Sequence, residues 1–360
     1  MPKPENISPC SYFPKCGGCD FLDLKQQDYQ KLKLSILDQA FHGHNFSSTV
    51  KPDWIWIEGN SRRKIILQIG KKNQLGFFTK QSKEIVEIEN CFVAEKEISK
   101  TIFLLKNFLK TQEQNIFTQL SITLFDNGLD LIFIASKEPS FTQAQKIISF
   151  AKEQNFNVSY KIKNHLTPIF LARQNQIFFT DFKISLDSEV FIQATKSGLA
   201  AIVKIIRDFL IENQNIKNIA DIYAGFGVYS FAIQDIIKSV LAFEGDKKMT
   251  ESINKNAAVN NLAQKIKAEN HDLFASPVTK RDLSKFDLAI INPPRNGASP
   301  QALEIAKSSL KNVIYVSCNP NSFARDAKIL IDSGLKIKKL TALDQFYSTK
   351  HLELVAIFTK

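Results

Sequence analysis

Five cysteines hold most of the reactive chemistry in this 360-residue chain. Three of them, Cys10, Cys16 and Cys19, fall in CSYFPKCGGCD, spaced C-x5-C-x2-C, and Cys91 follows in EIENCFVAE. Thiolates at such spacing can converge on one metal centre, and Gly17-Gly18 lets the backbone wrap closely around it. Four thiolates suit zinc or an iron–sulfur cluster alike, and spacing alone does not choose. The plain alternative is a set of ordinary buried cysteines; a C-G-G-C turn with a third cysteine nearby argues against it.

The fifth cysteine, Cys318, stands apart in VIYVSCNPNSFARD, where a run of β-formers ends. A lone cysteine is most often a small core residue. Here Ser317, Asn319 and Pro320 mark a strand-end turn, where a thiol of reference pKa about 8.5 becomes a good nucleophile once partly ionised. Further on, STKHLELVAIF places His351 and Glu353 at the start of a final strand. Alternate residues of a strand share one face, so both are expected to point toward one site.

A second kind of chemistry is binding. DIYAGFGVYSFAI, residues 221–233, reads as strand, glycine turn and helix start, with Gly225 and Gly227 permitting close approach of a ligand to the backbone. In AFEGD, Glu244 ends the next strand, where a carboxylate can accept both hydroxyls of a ribose. NAD, another nucleotide and S-adenosylmethionine all remain open at this point. In INPPRNG two prolines fix a rigid turn, holding Asn292 and Arg295 at defined positions. Asn292 offers a donor and an acceptor to a planar base edge, and Arg295 suits a phosphate.

The elements that must position these groups fall into two styles. From about 55 to 190, short runs such as RRKIILQIG and LDLIFIAS predict a mostly antiparallel sheet with a helix or two. After about 190, NIADIYAG, SVLAFEG, FDLAIINPP and NVIYVSC alternate with helix-length segments, which predicts βαβ units and a parallel sheet. Ligands bind beyond the carboxyl ends of such strands, so Gly225, Glu244, Asn292 and Cys318 should share one rim. Residues 21–41 read as an amphipathic helix with Leu32, Ile36, Leu37 and Phe41 on its apolar face. At 44% hydrophobic residues a sizeable core is available, and 47 Lys+Arg against 36 Asp+Glu give a net charge of +11, which suits a polyanion partner. No targeting segment or membrane span is read from the sequence, and a cytoplasmic protein is expected.

In order along the chain, C-x5-C-G-G-C with Cys91, F-x-Q at Phe191–Gln193, D-x-Y-x-G-x-G from Asp221, Glu244, P-P-R at 293–295, V-S-C-N-P at 316–320 and H-x-E at 351–353 resemble the RNA uridine-5-methyltransferase family. The resemblance covers nearly the whole chain. It implies an α/β fold, a class I methyltransferase Rossmann-like, mostly parallel sheet plus a smaller α+β central domain carrying a metal cluster. The central domain would take residues 1–21 and 55–190, and the catalytic domain residues 22–54 and 191–360. A [4Fe-4S] cluster on Cys10, Cys16, Cys19 and Cys91 is implied, with S-adenosylmethionine around Gln193, Tyr223, Gly225, Glu244, Asp272 and Asn292. Cys318 matches the family's nucleophile and Glu353 its general base.

Departures from the family pattern are Asn292 for an aspartate, Thr195, Ala224 and Val228. Many family members carry an RNA-binding barrel ahead of the first cysteine, and with Cys10 so near the start of this sequence none is expected here. Substrate positioning is then expected from the basic surface, with Arg62, Arg63 and Lys64 as candidates. The expected partner is RNA, 23S ribosomal RNA ahead of transfer RNA, with no obligate protein partner and a monomeric enzyme. Competing readings are an S-adenosylmethionine-dependent amino-methyltransferase, which Asn292-Pro293-Pro294 suggests, and a non-catalytic RNA-binding or cluster-carrying protein.

Overall fold

The computed structural model describes residues 8–46, 50–112 and 115–360. Residues 1–7, part of the stretch read above for a targeting segment, lie outside the described residues. So do 47–49 and 113–114, which fall within the two expected domains.

The chain opens with α1 (Gln26–Gly43) and β1 (Asp53–Trp56). There follow β2 (Lys64–Ile69), β3 (Leu75–Phe78), β4 (Ile85–Glu87), α2 (Lys96–Lys110), β5 (Phe117–Phe125), β6 (Gly128–Ala135), α3 (Phe141–Gln154), β7 (Asn157–Ile162) and β8 (His165–Phe170). These seven strands form one sheet in the order β4-β3-β2-β5-β6-β7-β8, antiparallel except for the β6–β7 pair that α3 connects. Period-2 strands such as β2 bury alternate residues, Ile65, Leu67 and Ile69, against Ile98, Ile102 and Leu105 of α2. A capping box of Ser140 and Gln143 starts α3, and Asn155 in the left-handed conformation ends it.

Next comes a ribbon, β9 (Asn175–Phe178) with β10 (Lys183–Leu186). Its Ile177, Ile184 and Leu186 join the core of the elements that follow. Those are α4 (Lys196–Glu212), β11 (Asn218–Ile222), α5 (Val228–Ala232), β12 (Ser239–Glu244), α6 (Lys247–Val259), β13 (Ile266–Asn270), α7 (Lys280–Leu283), β14 (Leu288–Ile291), α8 (Ser299–Ala306), β15 (Asn312–Ser317), α9 (Pro320–Asp332), β16 (Lys336–Asp344) and β17 (Glu353–Thr359).

Their sheet runs β1-β16-β17-β15-β14-β11-β12-β13. The pairs from β15 through β13 are parallel, and β17 lies antiparallel between β15 and β16. Continuous runs such as Leu288–Ile291 are buried on both faces, as parallel strands require. One face packs on Ile202, Ile206 and Phe209 of α4; the other packs on Leu37 and Phe41 of α1 and Phe323 of α9.

The N-terminal helix differs from its expected span. It begins at Gln26, because the preceding amides are drawn elsewhere: Asp20 N donates to Ser348 O (2.7 Å) and Phe21 N to Ser348 Oγ (3.2 Å). Leu37 and Phe41 are buried as the periodicity requires, while Leu32 and Ile36 are only partly covered. Lys33 is fully buried among them, with Nζ 2.8 Å from Asp344 Oδ1 and donating to His351 O at 2.7 Å. Tyr29 OH donates to the other oxygen of Asp344, and Ser348 N donates to Tyr29 OH (2.9 Å). Burial alone pushes the Lys33 ammonium toward neutrality, and the Asp344 carboxylate opposes that shift.

Arg63 also departs from its expected place on a basic surface. It is 2% exposed, its guanidinium 3.0 Å from Asp126 Oδ1 and donating to Leu124 O. Its amide donates to Ala194 O, so it ties β5 to the segment leading into α4 and is not free for a polyanion. No helix among the described residues is long and apolar enough to cross a membrane.

Candidate active site

The glycine turn leaves β11 in an unusual conformation. Tyr223 (φ 61°), Gly225 (φ 58°) and Gly227 (φ 79°) are all left-handed. At Gly227 a side chain would be strained, and its Cβ would meet Ile253 at 3.1 Å. The turn is pinned from the next strand: Gly225 N donates to Glu244 Oε2 (2.8 Å) and Asp246 N to Oε1 (2.9 Å). A carboxylate has about four acceptor sites, so both oxygens can still take a hydroxyl. Below the turn, Asp221 is fully buried and accepts from Ser230 Oγ at 2.6 Å; burial raises its pKa to about 6.

All the residues expected to bind cofactor or act on substrate line one cavity of about 460 Å³. Gln193, Tyr223, Gly225, Glu244, Asp272 and Asn292 share it with Cys318 and Glu353. The reason is register. Parallel strands β11, β12, β14 and β15 end at one rim, so Tyr223, Gly225, Glu244, Asn292 and Cys318 converge there, while Gln193 arrives from the segment before α4 and Glu353 from the start of antiparallel β17.

Cys318 is pushed above its ordinary pKa by burial and then by the Glu353 charge; the Arg295 guanidinium pulls it back down. Glu353 is 2% exposed, and burial raises its carboxyl to about 8 against the opposing hydrogen bond from Gln345. Gln345 Nε2 donates to Glu353 Oε2 (2.8 Å) and to Gln193 Oε1 (3.0 Å), and Gln193 Nε2 donates to Tyr229 OH (3.0 Å).

The loop bearing Arg295 is held by a residue that sequence reasoning passes over. Asp326, fully buried on α9, accepts from Ala298 N (2.6 Å), Ser299 Oγ (2.6 Å) and Tyr315 OH (2.7 Å). Asn319 Nδ2 adds a bond to Arg295 O at 2.9 Å. A signal existed: Asp326 sits in the apolar stripe of Phe323, Ala327 and Leu330, where a charge needs a reason. Gln345 and Tyr229 carry no comparable signal. His351 and Glu353 do not share a site face as expected. His351 precedes β17, is exposed and lines a second cavity, whereas Glu353 turns into the first.

The second cavity, about 520 Å³, is lined by Cys10, Cys16, Cys19 and Cys91 together with Arg62 and His351. Phe191, Arg295 and Phe346 line both cavities, so the two adjoin. The C-G-G-C turn lies against the end of β3: Gly17 N donates to Phe78 O at 2.9 Å, and a Cβ at Gly17 would stand 2.7 Å from that oxygen. Cys91 N donates to Ser99 Oγ at 2.9 Å. Burial raises the thiol pKa of Cys16 and Cys91, and that of Cys19 to about 12. Among the described residues no three His, Cys, Asp or Glu side chains gather closely enough for a single metal ion. The four thiols line this one cavity, with Cys10, Cys16 and Cys91 each close enough to perturb Cys19.

A mostly parallel sheet covered on both faces, with β17 inserted antiparallel between β15 and β16, a glycine turn after β11 and an acid ending β12, is a class I, S-adenosylmethionine-dependent methyltransferase fold. Residues 66–360 match the model of the family described as tRNA (uracil-5-)-methyltransferase, and the chain belongs to that family of RNA uracil-5-methyltransferase enzymes. It is 30% identical over 357 residues to an uncharacterized RNA methyltransferase of Mesorhizobium japonicum, covering 98% of this chain and 84% of that one. It is 28% identical over 360 residues to the 23S rRNA (uracil(1939)-C(5))-methyltransferase RlmD of Shewanella woodyi, covering 97% and 81%. Its fold matches that of Pyrococcus abyssi tRNA (uracil-54, C5)-methyltransferase in complex with S-adenosyl-L-homocysteine, with a TM-score of 0.70, 21% identity and coverage of 96% and 86%.

Proposed function

We propose that this protein methylates carbon 5 of a uridine in 23S ribosomal RNA, with S-adenosylmethionine as methyl donor, as a monomer in the cytoplasm. The observation that carries the reading is the meeting of Cys318 and Glu353 in the cavity that also holds the glycine turn and Glu244. When bound, the donor supplies a methyl group made electrophilic by its sulfonium. Glu244 would accept its ribose hydroxyls, the turn amides would face its polar end, and Gln193, Asp272 and Asn292 would close around it.

Carbon 5 of uracil is a poor nucleophile. In the proposed reaction the Cys318 thiolate bonds to carbon 6, and the displaced π pair makes an enolate; its carbon 5 takes the methyl group as the methyl–sulfur bond breaks, leaving S-adenosylhomocysteine. Glu353 then removes the proton from carbon 5. That electron pair restores the ring double bond, the carbon 6–sulfur bond breaks, and the thiolate is regenerated. Arg295 favours the thiolate against its burial. Asn292 can present both a donor and an acceptor to the base edge. The target base must leave its stack to enter, and exposed Phe191 (63%) offers a ring at the entrance.

Cys10, Cys16, Cys19 and Cys91 are the residues that would hold a [4Fe-4S] cluster, one thiolate per iron. Our reading of its role is structural, because its ligands join residues 10–19 to the loop before α2. The division into a central unit (1–21 with 55–190) and a catalytic unit (22–54 with 191–360) belongs to the same proposal.

The 23S target is supported by the relatives named for it and by the four-cysteine set. Transfer RNA is the second reading, favoured by the family description and by the Pyrococcus abyssi fold match. Mapping 5-methyluridine in total RNA from cells with and without the gene tests both. Loss at one 23S position is expected. Loss in transfer RNA would move the target, and an unchanged map would overturn the proposal.

A further inference from the structure

Gln345 is the first residue after β16 and is completely buried between the candidate base and the cofactor side of the cavity. Its nitrogen spans Glu353 Oε2 at 2.8 Å and Gln193 Oε1 at 3.0 Å. Its oxygen is buried with no hydrogen-bond partner. An ionised carboxylate only accepts, so the nitrogen must face Glu353 before proton removal. Once Glu353 has taken the carbon 5 proton it becomes a donor, and a fixed N–H partner no longer suits that oxygen.

We infer that Gln345 is the positioning residue for Glu353, holding it in both protonation states by turning its side-chain amide. This rests on the reading of Glu353 as the base. In the ionised state, Gln345 donates to Glu353 and to Gln193, which donates to Tyr229. In the protonated state every bond reverses. The Glu353 hydroxyl donates to Gln345 Oε1, Gln193 Nε2 donates to the same oxygen, and Tyr229 OH donates to Gln193 Oε1. Each intermediate group has both a donor and an acceptor, so the chain can run either way. The proton itself moves only from carbon 5 to Glu353 and then to solvent.

The ionisable groups that face Glu353 are Cys318, beyond β15, and Tyr229, on α5; Arg295, Tyr223, Glu244 and Asp272 line the same cavity. A pH effect must therefore be separated from Cys318. RNA carrying 5-fluorouridine does this, because its carbon 5 bears fluorine where the proton would be, and reaction stops at the covalent adduct.

The test uses full-length enzyme with Gln345→Met, which keeps length but removes both polar atoms, and Gln345→Glu, which keeps shape but adds a second carboxylate. Single-turnover methylation of uridine RNA is followed from pH 6 to 9.5, with adduct formation on 5-fluorouridine RNA alongside. Both variants should move the methylation midpoint upward, Gln345→Glu further. A shift of about one pH unit lowers the rate at pH 7 by about tenfold and leaves it recoverable at high pH. Both should retain the fluorouridine adduct and accumulate a denaturant-stable protein–RNA species on ordinary uridine RNA. If Gln345→Met does not fold, the shape-preserving Gln345→Glu decides. Wild-type methylation with an unmoved midpoint in every folded variant overturns the inference alone. Absence of methylation by the wild type overturns the reading beneath it and the inference together.

Discussion

The two adjoining cavities share Phe191, Arg295 and Phe346 yet are built in opposite ways. On the cofactor side, most of the polar groups sit at the ends of strands in one sheet, and strand register fixes their spacing. On the cysteine side, the thiols come from an N-terminal loop and a distant turn, held by a main-chain bond to β3 and a bond to the Ser99 hydroxyl of α2. The contrast follows from how exactly each set must be placed. A reacting carbon tolerates little error in placement, so its partners ride on rigid strands, while a loop-built set would be held in place by the cluster proposed for it.

The largest expected effect breaks the symmetry between cysteines. Cys318→Ala should lower turnover by about 10³-fold or more and abolish the 5-fluorouridine adduct. Cys19→Ser, on the other side, should retain adduct formation in folded enzyme while losing iron and melting temperature. Equal loss of adduct in both would collapse the distinction between the cavities.

The buried pair that holds the segment between β16 and β17 is the next target. Lys33→Met leaves Asp344 buried without its cation, and a loss of about 3–5 kcal/mol is expected in denaturant unfolding. A change below about 1 kcal/mol, the range of an exposed pair such as Arg207–Asp235, would mean that this pair does not brace the loop.

Smaller and sharper is a pH effect on stability at Glu353. Its folded pKa of about 8 lies above the ordinary 4.5, so its contribution is fully present below pH 4.5 and is lost as pH rises through 8. Glu353→Gln removes that loss. Its unfolding free energy relative to wild type, read by denaturant titration, should climb between pH 5 and 8 and level off above, by an amount on the order of a few kcal/mol. A difference independent of pH would show that the carboxyl is not held neutral by burial. Smallest is Gly227→Ala, expected to cost about 1–2 kcal/mol and to weaken S-adenosylmethionine binding in calorimetry. Unchanged binding would separate the turn from the cofactor.

The cofactor-side cavity was more legible than its supports. Apolar runs ending in Gly225, Glu244, Asn292 and Cys318 announce parallel strands, and a parallel sheet brings strand ends together without further information. Arg63 and Lys33 were not legible, because local sequence marks a cation as solvated. Their burial depends on Asp126 and Asp344, which only the tertiary fold brings near. The start of α1 was missed for the same reason, since Ser348 claims the amides of Asp20 and Phe21.

The order of strands has a consequence in time. β17 follows every other strand along the chain but lies inside the sheet, between β15 and β16. During synthesis those two neighbours emerge first and must wait with facing edges unpaired, which makes closure of this sheet a late, long-range event. Glu353 is the first residue of that strand, and Lys33 reaches back from α1 to grip the loop ahead of it. The last strand to be made therefore carries Glu353 into a cavity whose glycine turn and Cys318 are already synthesised.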